Sequence, residues 1–410
     1  MSKKQKRTKP KHIPTRHQVS RWQRQARIRR IIIIVAAVFL AGIVGWVGYG
    51  YYNDRIQPLH EIIVEVNDIS FDTGYYIETL DAYTKDMEPG QVNYMASLVA
   101  NQIVQDEIIR QGANNLGIHV TDQEVSDKIE ENKLPDNKVY QDIISAGLIR
   151  EKLMEHFDSE LPDTMEQAHI QTMLVESKQV ADEVIAKIEG GGNFTALVDQ
   201  FSCQPQVEGD LAWLPQELMP NTLIGEAAFS LEPGKVSKTY DEAATKDIGY
   251  WLIEVRDKDE EKGINTRAML LGNKTEAEEV KADLASENFT ALAKEYSQHN
   301  SKDNGGELGW LKQGDMNSEA FDEAAFSLPI NEMSEPIKDE SVQTEGGYWI
   351  VKVLAREDQE LGEEVRRGLA QEAFSEWYKE QQEGSIINNY MDEEKRAWAV
   401  NRVLKQRTAS

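Results

Sequence analysis

The chain has 410 residues, of which 40% are apolar, enough for two or three domains with hydrophobic cores of their own. Its formal net charge is −26, and because residues 1–30 carry twelve Lys or Arg and no acidic residue, the remaining 380 residues carry −38. A body this acidic repels nucleic acid, which argues against a nucleic-acid-binding protein. The only cysteine, Cys203, excludes an internal disulfide, and we expect it to be a small buried apolar residue.

A charge-free run of 22 residues, 31–52, follows the basic tail and ends in an aromatic cluster. At 1.5 Å per residue this length spans a bilayer core of about 30 Å, and aromatic residues favour the interface. The positive-inside rule then places residues 1–30 in the cytoplasm and the rest outside. We predict an uncleaved signal anchor, because bulky residues occupy the cleavage region and Ile43 stands where a lipoprotein would have Cys. The alternative, a buried core helix, fits the flanking charge poorly.

Residues 61–165 are predicted to form a mainly helical N-domain. It begins with a short strand at 61–68, and apolar residues at helical spacing follow at 94–116. Gly117 is a natural helix end, and Thr121 with Glu124 forms a capping box that opens the next helix. A third helix is expected at 142–157.

Four sequence blocks then occur twice at an offset of 95 to 98 residues, which predicts a duplicated domain rather than a solenoid. The blocks begin at Phe194 and Phe289, Gly209 and Gly306, Ala227 and Ala324, and Gly249 and Gly347. Each repeat alternates strands and helices, which indicates two α+β modules at 166–258 and 264–357. We expect a final strand, at 249–255 and 347–353, to close its own repeat.

The C-terminal segment, 363–405, is predicted to be helical and amphipathic. Its apolar face comprises Phe374, Trp377, Tyr378, Ile386, Ile387 and Tyr390. Because such a helix alone has nothing against which to bury that face, we expect it to pack on the N-domain and complete it.

The repeated blocks resemble the parvulin (PpiC/rotamase) family of peptidyl-prolyl isomerases. The shared motifs are, in order, Phe-x-x-Leu-Ala-x-x-Tyr-Ser, Gly-Gly-acid-Leu-Gly, Gly-x-Met, Phe-x-x-Ala-Ala-Phe-x-Leu and Gly-Tyr-x-Ile. Residues 289–353 match these motifs closely, and residues 194–255 match them more loosely. The order of anchor, helical N-domain, parvulin modules and C-terminal helix is similar to the SurA and PrsA extracytoplasmic foldases. The resemblance covers roughly half of the chain and implies an α+β fold for each module.

The resemblance also implies a proline pocket in each module. Rotation of a prolyl bond needs an apolar slot and polar groups that favour the twisted amide, but no nucleophile, metal or cofactor. In the second module the implied pocket is Leu308, Met316, Phe321, Phe326 and Trp349. In the first module the weaker equivalent is Leu211, Met219, Ile224, Phe229 and Trp251. Ordinary core packing is the alternative role for these residues.

The polar half of the family site is changed in both modules. The resemblance implies a His in the first strand, where this chain has Thr172 and Ala268, and a His in the last strand, where it has Trp. His299 aligns with the family's Cys/Asp position and is the remaining catalytic candidate. His169 lies three residues before Thr172, so its side chain is expected on the opposite face of the strand, at the surface.

Two functions therefore stay open. One is a membrane-anchored peptidyl-prolyl isomerase that assists folding of exported proteins, with unfolded polypeptides containing X–Pro bonds as partners. The other is a non-catalytic holdase chaperone that binds extended polypeptide. A secreted hydrolase is not favoured, because the sequence contains no nucleophile elbow or metal-spaced cluster.

Overall fold

The computed structural model of the protein describes Arg29 and residues 38–204 and 209–409. It contains two compact units, Met1–Met154 with Ser375–Ser410, and Glu155–Phe374. The predicted basic tail, except Arg29, and the first seven residues of the predicted membrane span lie outside the described residues. Residues 38–55 form helix α1, with largely exposed side chains. Within the described ranges, no helix is both long enough and apolar enough to cross a bilayer.

The first unit combines helices with a small antiparallel sheet in the order β11–β1–β2. Its strands are β1 Ile62–Val66, β2 Ile69–Asp72 and β11 Ile387–Asn389. Its helices are α2 Thr73–Thr84, α3 Pro89–Asn115, α4 Asp122–Glu131, most of α5 Lys138–Glu160, the end of α12 Glu363–Glu383, and α13 Glu393–Ala409. The predicted capping box is confirmed: Thr121 and Glu124 each accept the other's backbone N–H at the start of α4.

The C-terminal segment contributes to the core of this unit in two ways. Strand β11 pairs with β1, with Ile387 opposite Val66, and α13 buries Val403 among residues of α2 and α3. The segment is not one long helix as its periodicity indicates. Gly384 ends α12, and the main chain of Ile386 then bonds to the Asn67 side chain, which leads the chain into the sheet.

The second unit contains two four-stranded antiparallel sheets, β4–β3–β10–β5 and β8–β7–β6–β9. Their strands are β3 Thr164–Val175, β4 Gly209–Leu214, β5 Val236–Lys246, β6 Gly249–Asp259, β7 Gly263–Leu271, β8 Glu307–Leu311, β9 Ile337–Asp339 and β10 Thr344–Glu360. The helices beside them are α6 Lys178–Glu189, α7 Phe194–Phe201, α8 Thr222–Ser230, α9 Lys274–Asp283, α10 Phe289–Tyr296 and α11 Glu319–Ser327. The sheets thus have the same strand order in the two repeats.

The final strands of the repeats are exchanged. Strand β6, from the first repeat, lies between β7 and β9 of the second, with Trp251 opposite Leu270. Strand β10, from the second repeat, lies between β3 and β5 of the first, with Trp349 opposite Leu174. The expectation that each final strand closes its own repeat is wrong.

Two turns explain the exchange. Residues 260–262 form a tight hairpin between β6 and β7, in which the Asp259 carboxylate accepts the backbone N–H groups of Glu261 and Lys262. Gly263 closes it at φ +93°, where an added Cβ would overlap the Leu311 carbonyl oxygen. So short a connection suits neighbouring strands of one sheet, about 4.8 Å apart. By contrast, the two residues between β5 and β6, Asp247 and Ile248, lack the glycine that favours a two-residue hairpin.

Candidate functional site

The apolar residues predicted for the second pocket come together. Leu308 lies on β8, Met316 in the following loop, and Phe321 and Phe326 on α11, and all four belong to one hydrophobic cluster. The tryptophan in this cluster is Trp251, because β6 is exchanged into the sheet. Trp349, which the sequence places here, is not part of it. We call Leu308, Met316, Phe321, Phe326 and Trp251 the second pocket.

Burial divides the second pocket into a floor and walls. Phe321 and Trp251 are 0% and 2% exposed and contact each other edge to face, with ring centroids 5.1 Å apart. Leu308, Met316 and Phe326 are half-buried and partly reach solvent. A ligand could therefore contact these three residues directly, whereas Phe321 supports the site from beneath.

The first pocket has the equivalent composition with fewer accessible atoms. Leu211, Met219, Ile224 and Phe229 cluster with Trp349, not with Trp251 as the sequence predicts. Met219 and Ile224 are buried, so only Leu211 and Phe229 are half-exposed. This pocket therefore offers a smaller apolar surface than the second one.

A polar network absent from the sequence prediction holds each tryptophan. The Trp251 indole N–H and the Ser318 hydroxyl donate to Oδ2 of Asp339 at 2.9 and 2.6 Å. Ser318 also caps α11 by accepting the Phe321 backbone N–H at 3.0 Å. The network therefore joins the exchanged strand, the edge strand β9 and the helix that carries the floor.

The first pocket contains the same network. The Trp349 indole and the Asn221 side-chain amide each donate to Oδ2 of Asp241 at 2.9 Å, and Asn221 caps α8. Two repeated positions in the sequence could have revealed the network. Asp241 and Asp339 are 98 residues apart, and the helix-capping residues Asn221 and Ser318 are 97 residues apart.

The hydrogen bonds decide the protonation of Asp339. Burial alone would raise the pKa of this carboxyl group, but the donors Ser318, Ser341 and Trp251 outweigh burial and lower the pKa below its usual value. Asp339 is therefore ionised at neutral pH and accepts the indole N–H as a charged group, which strengthens that bond.

His299, the predicted catalytic candidate, lies beside the floor of the second pocket. Its ring centroid is 5.3 Å from that of Trp251. Its Nδ1 accepts the Ser301 backbone N–H at 3.2 Å, so the proton of the neutral ring is on Nε2. Burial lowers the pKa of His299, which favours the neutral ring at pH 7.

The other positions of the family's polar half supply no second imidazole, and Ala268 belongs to the hydrophobic cluster of the second pocket. Thr172 is fully buried in β3, and Ala268 is fully buried in β7. His169 lies between the core residues Ala168 and Ile170, on the opposite face of the strand, and its Nε2 is 2.5 Å from the Asp210 carboxylate. Neither repeat therefore places two imidazoles in its pocket.

A separate cleft of about 610 Å³ lies where the two repeats meet. The Tyr240 and Tyr348 rings, 5.1 Å apart, form part of its wall, and five acidic residues line it together with one basic residue, Lys178, and several neutral ones. Those acidic residues are Glu176, Asp182, Glu276, Glu279 and Glu345. Nearby, the buried Lys246 ammonium donates to the carbonyl oxygens of Glu345 and Gly346. The cleft offers aromatic surface and negative charge.

Comparison with known proteins identifies the modules. Family models described as PPIC-type PPIASE domain match residues 161–259 and 267–355, and a SurA-like N-terminal domain model matches 22–143. The chain is 25% identical to Chaperone SurA of Dechloromonas aromatica over 304 residues, 68% of this chain and 66% of that one. It is 24% identical to Chaperone SurA of Chromohalobacter salexigens over 361 residues, 81% of this chain and 75% of that one. It is 41% identical to Foldase protein PrsA of Geobacillus kaustophilus over 109 residues, 26% and 37% of the two chains.

Proposed function

Because the chain belongs to the SurA/PrsA-like parvulin foldases, we propose that it is an extracytoplasmic foldase of the peptidyl-prolyl cis–trans isomerase class. Its partners are unfolded or partly folded exported polypeptides that contain X–Pro bonds. The observation that carries the proposal is the second pocket, where three half-buried apolar side chains surround an aromatic floor next to a neutral histidine. The matched relatives support the class, and the assignment of turnover to this pocket is our inference.

The proposed chemistry needs only binding and orientation. The pyrrolidine ring enters among Leu308, Met316 and Phe326, which removes water from the amide. The twisted amide has lost the resonance that makes the bond planar, so an apolar surrounding favours it over the planar form. His299 supplies an Nε2–H donor that would stabilise the turned carbonyl oxygen.

We also propose that residues 31–52 anchor the protein in the membrane, with residues 1–30 in the cytoplasm. The 22-residue run carries no charge. In its described part, apolar side chains of α1 are exposed, including Val44 at 70% and Trp46 at 79%. Exposed apolar side chains around a charge-free helix favour an apolar surrounding. Protease treatment of sealed spheroplasts tests this topology: the body should be digested and the basic tail protected.

The second candidate function is a holdase that binds extended polypeptide without turnover. Two observations favour it. Both pockets hold a tryptophan, hydrogen-bonded to an aspartate, at the last-strand position where the family has a His, and the cleft between the repeats offers aromatic surface and negative charge to a basic or aromatic segment. Charge complementarity of this kind aids encounter and specificity.

One experiment separates the two functions. Full-length protein in detergent is added to a proline-containing tetrapeptide and, separately, to a client protein refolding from denaturant. Faster isomerisation of the tetrapeptide supports the isomerase. A tetrapeptide rate equal to that in buffer, with the client still kept soluble, would leave only the holdase.

A further inference from the structure

Trp251 is encoded in the first repeat but contributes to the pocket of the second. We propose that Trp251 is a specificity-determining residue of the second pocket and that Asp339 positions it, so that each pocket takes its aromatic floor from the other repeat. This inference rests on the proposed function for its substrate class, a proline-containing polypeptide, but its geometry is independent of turnover.

Two contacts and its burial hold the indole in one orientation. The register of β6 places Trp251 opposite Leu270 of β7, and the indole N–H donates to Asp339 at 2.9 Å. The ring is 2% exposed, so it has little freedom to leave this position. The indole lies beneath the half-buried wall residues and forms part of the pocket floor. It therefore limits how deeply the ring of a substrate proline can enter, which is how it would discriminate between substrates.

The indole also links the two halves of the second pocket. Its ring centroid lies 5.1 Å from that of Phe321 and 5.3 Å from that of His299, with edge-to-face angles of 80° and 63°. A smaller ring at this position removes packing from both neighbours and admits water beside His299. The burial that lowers the pKa of His299 would then be relieved.

Trp349 supplies a matched control. It is the residue that the linear order of the repeats assigns to the second pocket, and it makes the same hydrogen bond, to Asp241, in the first pocket. Trp251→Phe and Trp349→Phe therefore remove the same atoms from equivalent networks in different pockets. We expect Trp251→Phe to weaken binding of a proline-containing tetrapeptide by about fivefold, since aromatic anchors dominate apolar binding sites. Trp349→Phe is the control for the pKa of His299, whose ring lies beside Trp251 of the second pocket.

A second readout does not depend on peptide binding. The pKa of His299 is measured by NMR of histidine-labelled full-length protein in detergent, with His299→Gln to assign the signal. Trp251→Phe should raise this pKa towards its usual value, and Trp349→Phe should leave it unchanged. A shift in Trp349→Phe alone, or in neither variant, would overturn the assignment of Trp251 to this pocket.

The strand exchange itself is tested by cross-linking, in a Cys203→Ser background. Gln171 of β3 faces Lys352 of β10 in the exchanged arrangement. In an unexchanged arrangement it would face Glu254, which is equivalent to Lys352 at the repeat offset of 98. Directly opposed residues of antiparallel strands lie about 4.5 to 5.5 Å apart between Cα atoms, a range that suits a disulfide.

We expect the pair Gln171→Cys and Lys352→Cys to oxidise to one intramolecular disulfide, and the pair Gln171→Cys and Glu254→Cys to stay reduced. The reverse result would overturn the exchange and the role of Trp251 while leaving the foldase class intact. If the wild-type protein binds no peptide and accelerates no isomerisation, the proposed function fails, and the cross-link and the pKa of His299 still decide the placement of Trp251.

Discussion

Asp339 is the residue on which the polar network of the second pocket depends. Its Oδ2 accepts from Trp251 and Ser318, and its Oδ1 accepts from the backbone N–H and hydroxyl of Ser341. Substitution Asp339→Asn preserves the shape of the side chain but turns one acceptor into a donor. Two of the four donors then lose their acceptor.

The expected loss follows from these contacts. Asp339 is 3% exposed, and hydrogen bonds to a charged group contribute about 1.5–3 kcal/mol each. Two lost bonds therefore lower the free energy of unfolding by about 3–6 kcal/mol. That is a large share of the roughly 5–15 kcal/mol by which domains are stable, so the variant should unfold at clearly lower denaturant concentration.

The destabilisation caused by Asp339→Asn should depend on pH in a definite direction. Because the pKa of Asp339 is lowered in the folded protein, the ionised carboxylate contributes stability above its unfolded pKa of 3.8, and that contribution is lost as pH falls through the folded pKa. Urea unfolding followed by tryptophan fluorescence should show the full difference between wild type and Asp339→Asn at pH 7 and a smaller one near pH 3. Asp303→Asn, at an exposed site in the same repeat, is the control. A loss below about 0.5 kcal/mol at pH 7, the size of an ordinary surface substitution, would refute the network.

Three further substitutions test other parts of the fold by the same unfolding measurement. Gly263→Ala should destabilise more than Gly191→Ala, because both have positive φ but only the former Cβ meets backbone; equal losses would contradict the hairpin account. Lys246→Met should lower stability by about 1–3 kcal/mol, since the Gly346 carbonyl oxygen loses this buried donor whereas that of Glu345 still accepts from Gln298; no loss would contradict the contact. Glu124→Gln should destabilise at pH 7 and much less near pH 2. Hydrogen bonds from Lys152 and the capping residue lower the pKa of Glu124 to about 2, so its contribution is fully present above the unfolded value of 4.5 and is lost as pH falls through about 2; an equal effect at both pH values would contradict the ionised capping box.

The local features of the chain were predictable because their causes are local. The capping box at Thr121 and the composition of each repeated block follow from residues a few positions apart. The apolar walls Leu308, Met316 and Phe326 also follow from the family string, since that string matches the second repeat closely.

The partner of each final strand was not predictable from the repeats alone. The strands containing Trp251 and Trp349 carry the same Gly-Tyr-Trp block, so either could complete either sheet. The residues of the turns determine which sheet each final strand joins, because the hairpin ending at Gly263 holds β6 beside β7. The repeat pattern shows where the strands are but not which of two possible turns is the more stable. The Trp–Asp bonds join residues 88 and 108 positions apart, beyond any local pattern.

We propose that the second pocket is where the protein isomerises proline-containing peptides. The most direct test is tetrapeptide isomerisation by full-length protein in detergent, comparing wild type with Met316→Ala and with Met219→Ala as the matched change in the first pocket. We predict acceleration by wild type, a marked loss in Met316→Ala and little change in Met219→Ala. A wild-type rate equal to buffer, or equal rates in the two variants, would contradict the claim.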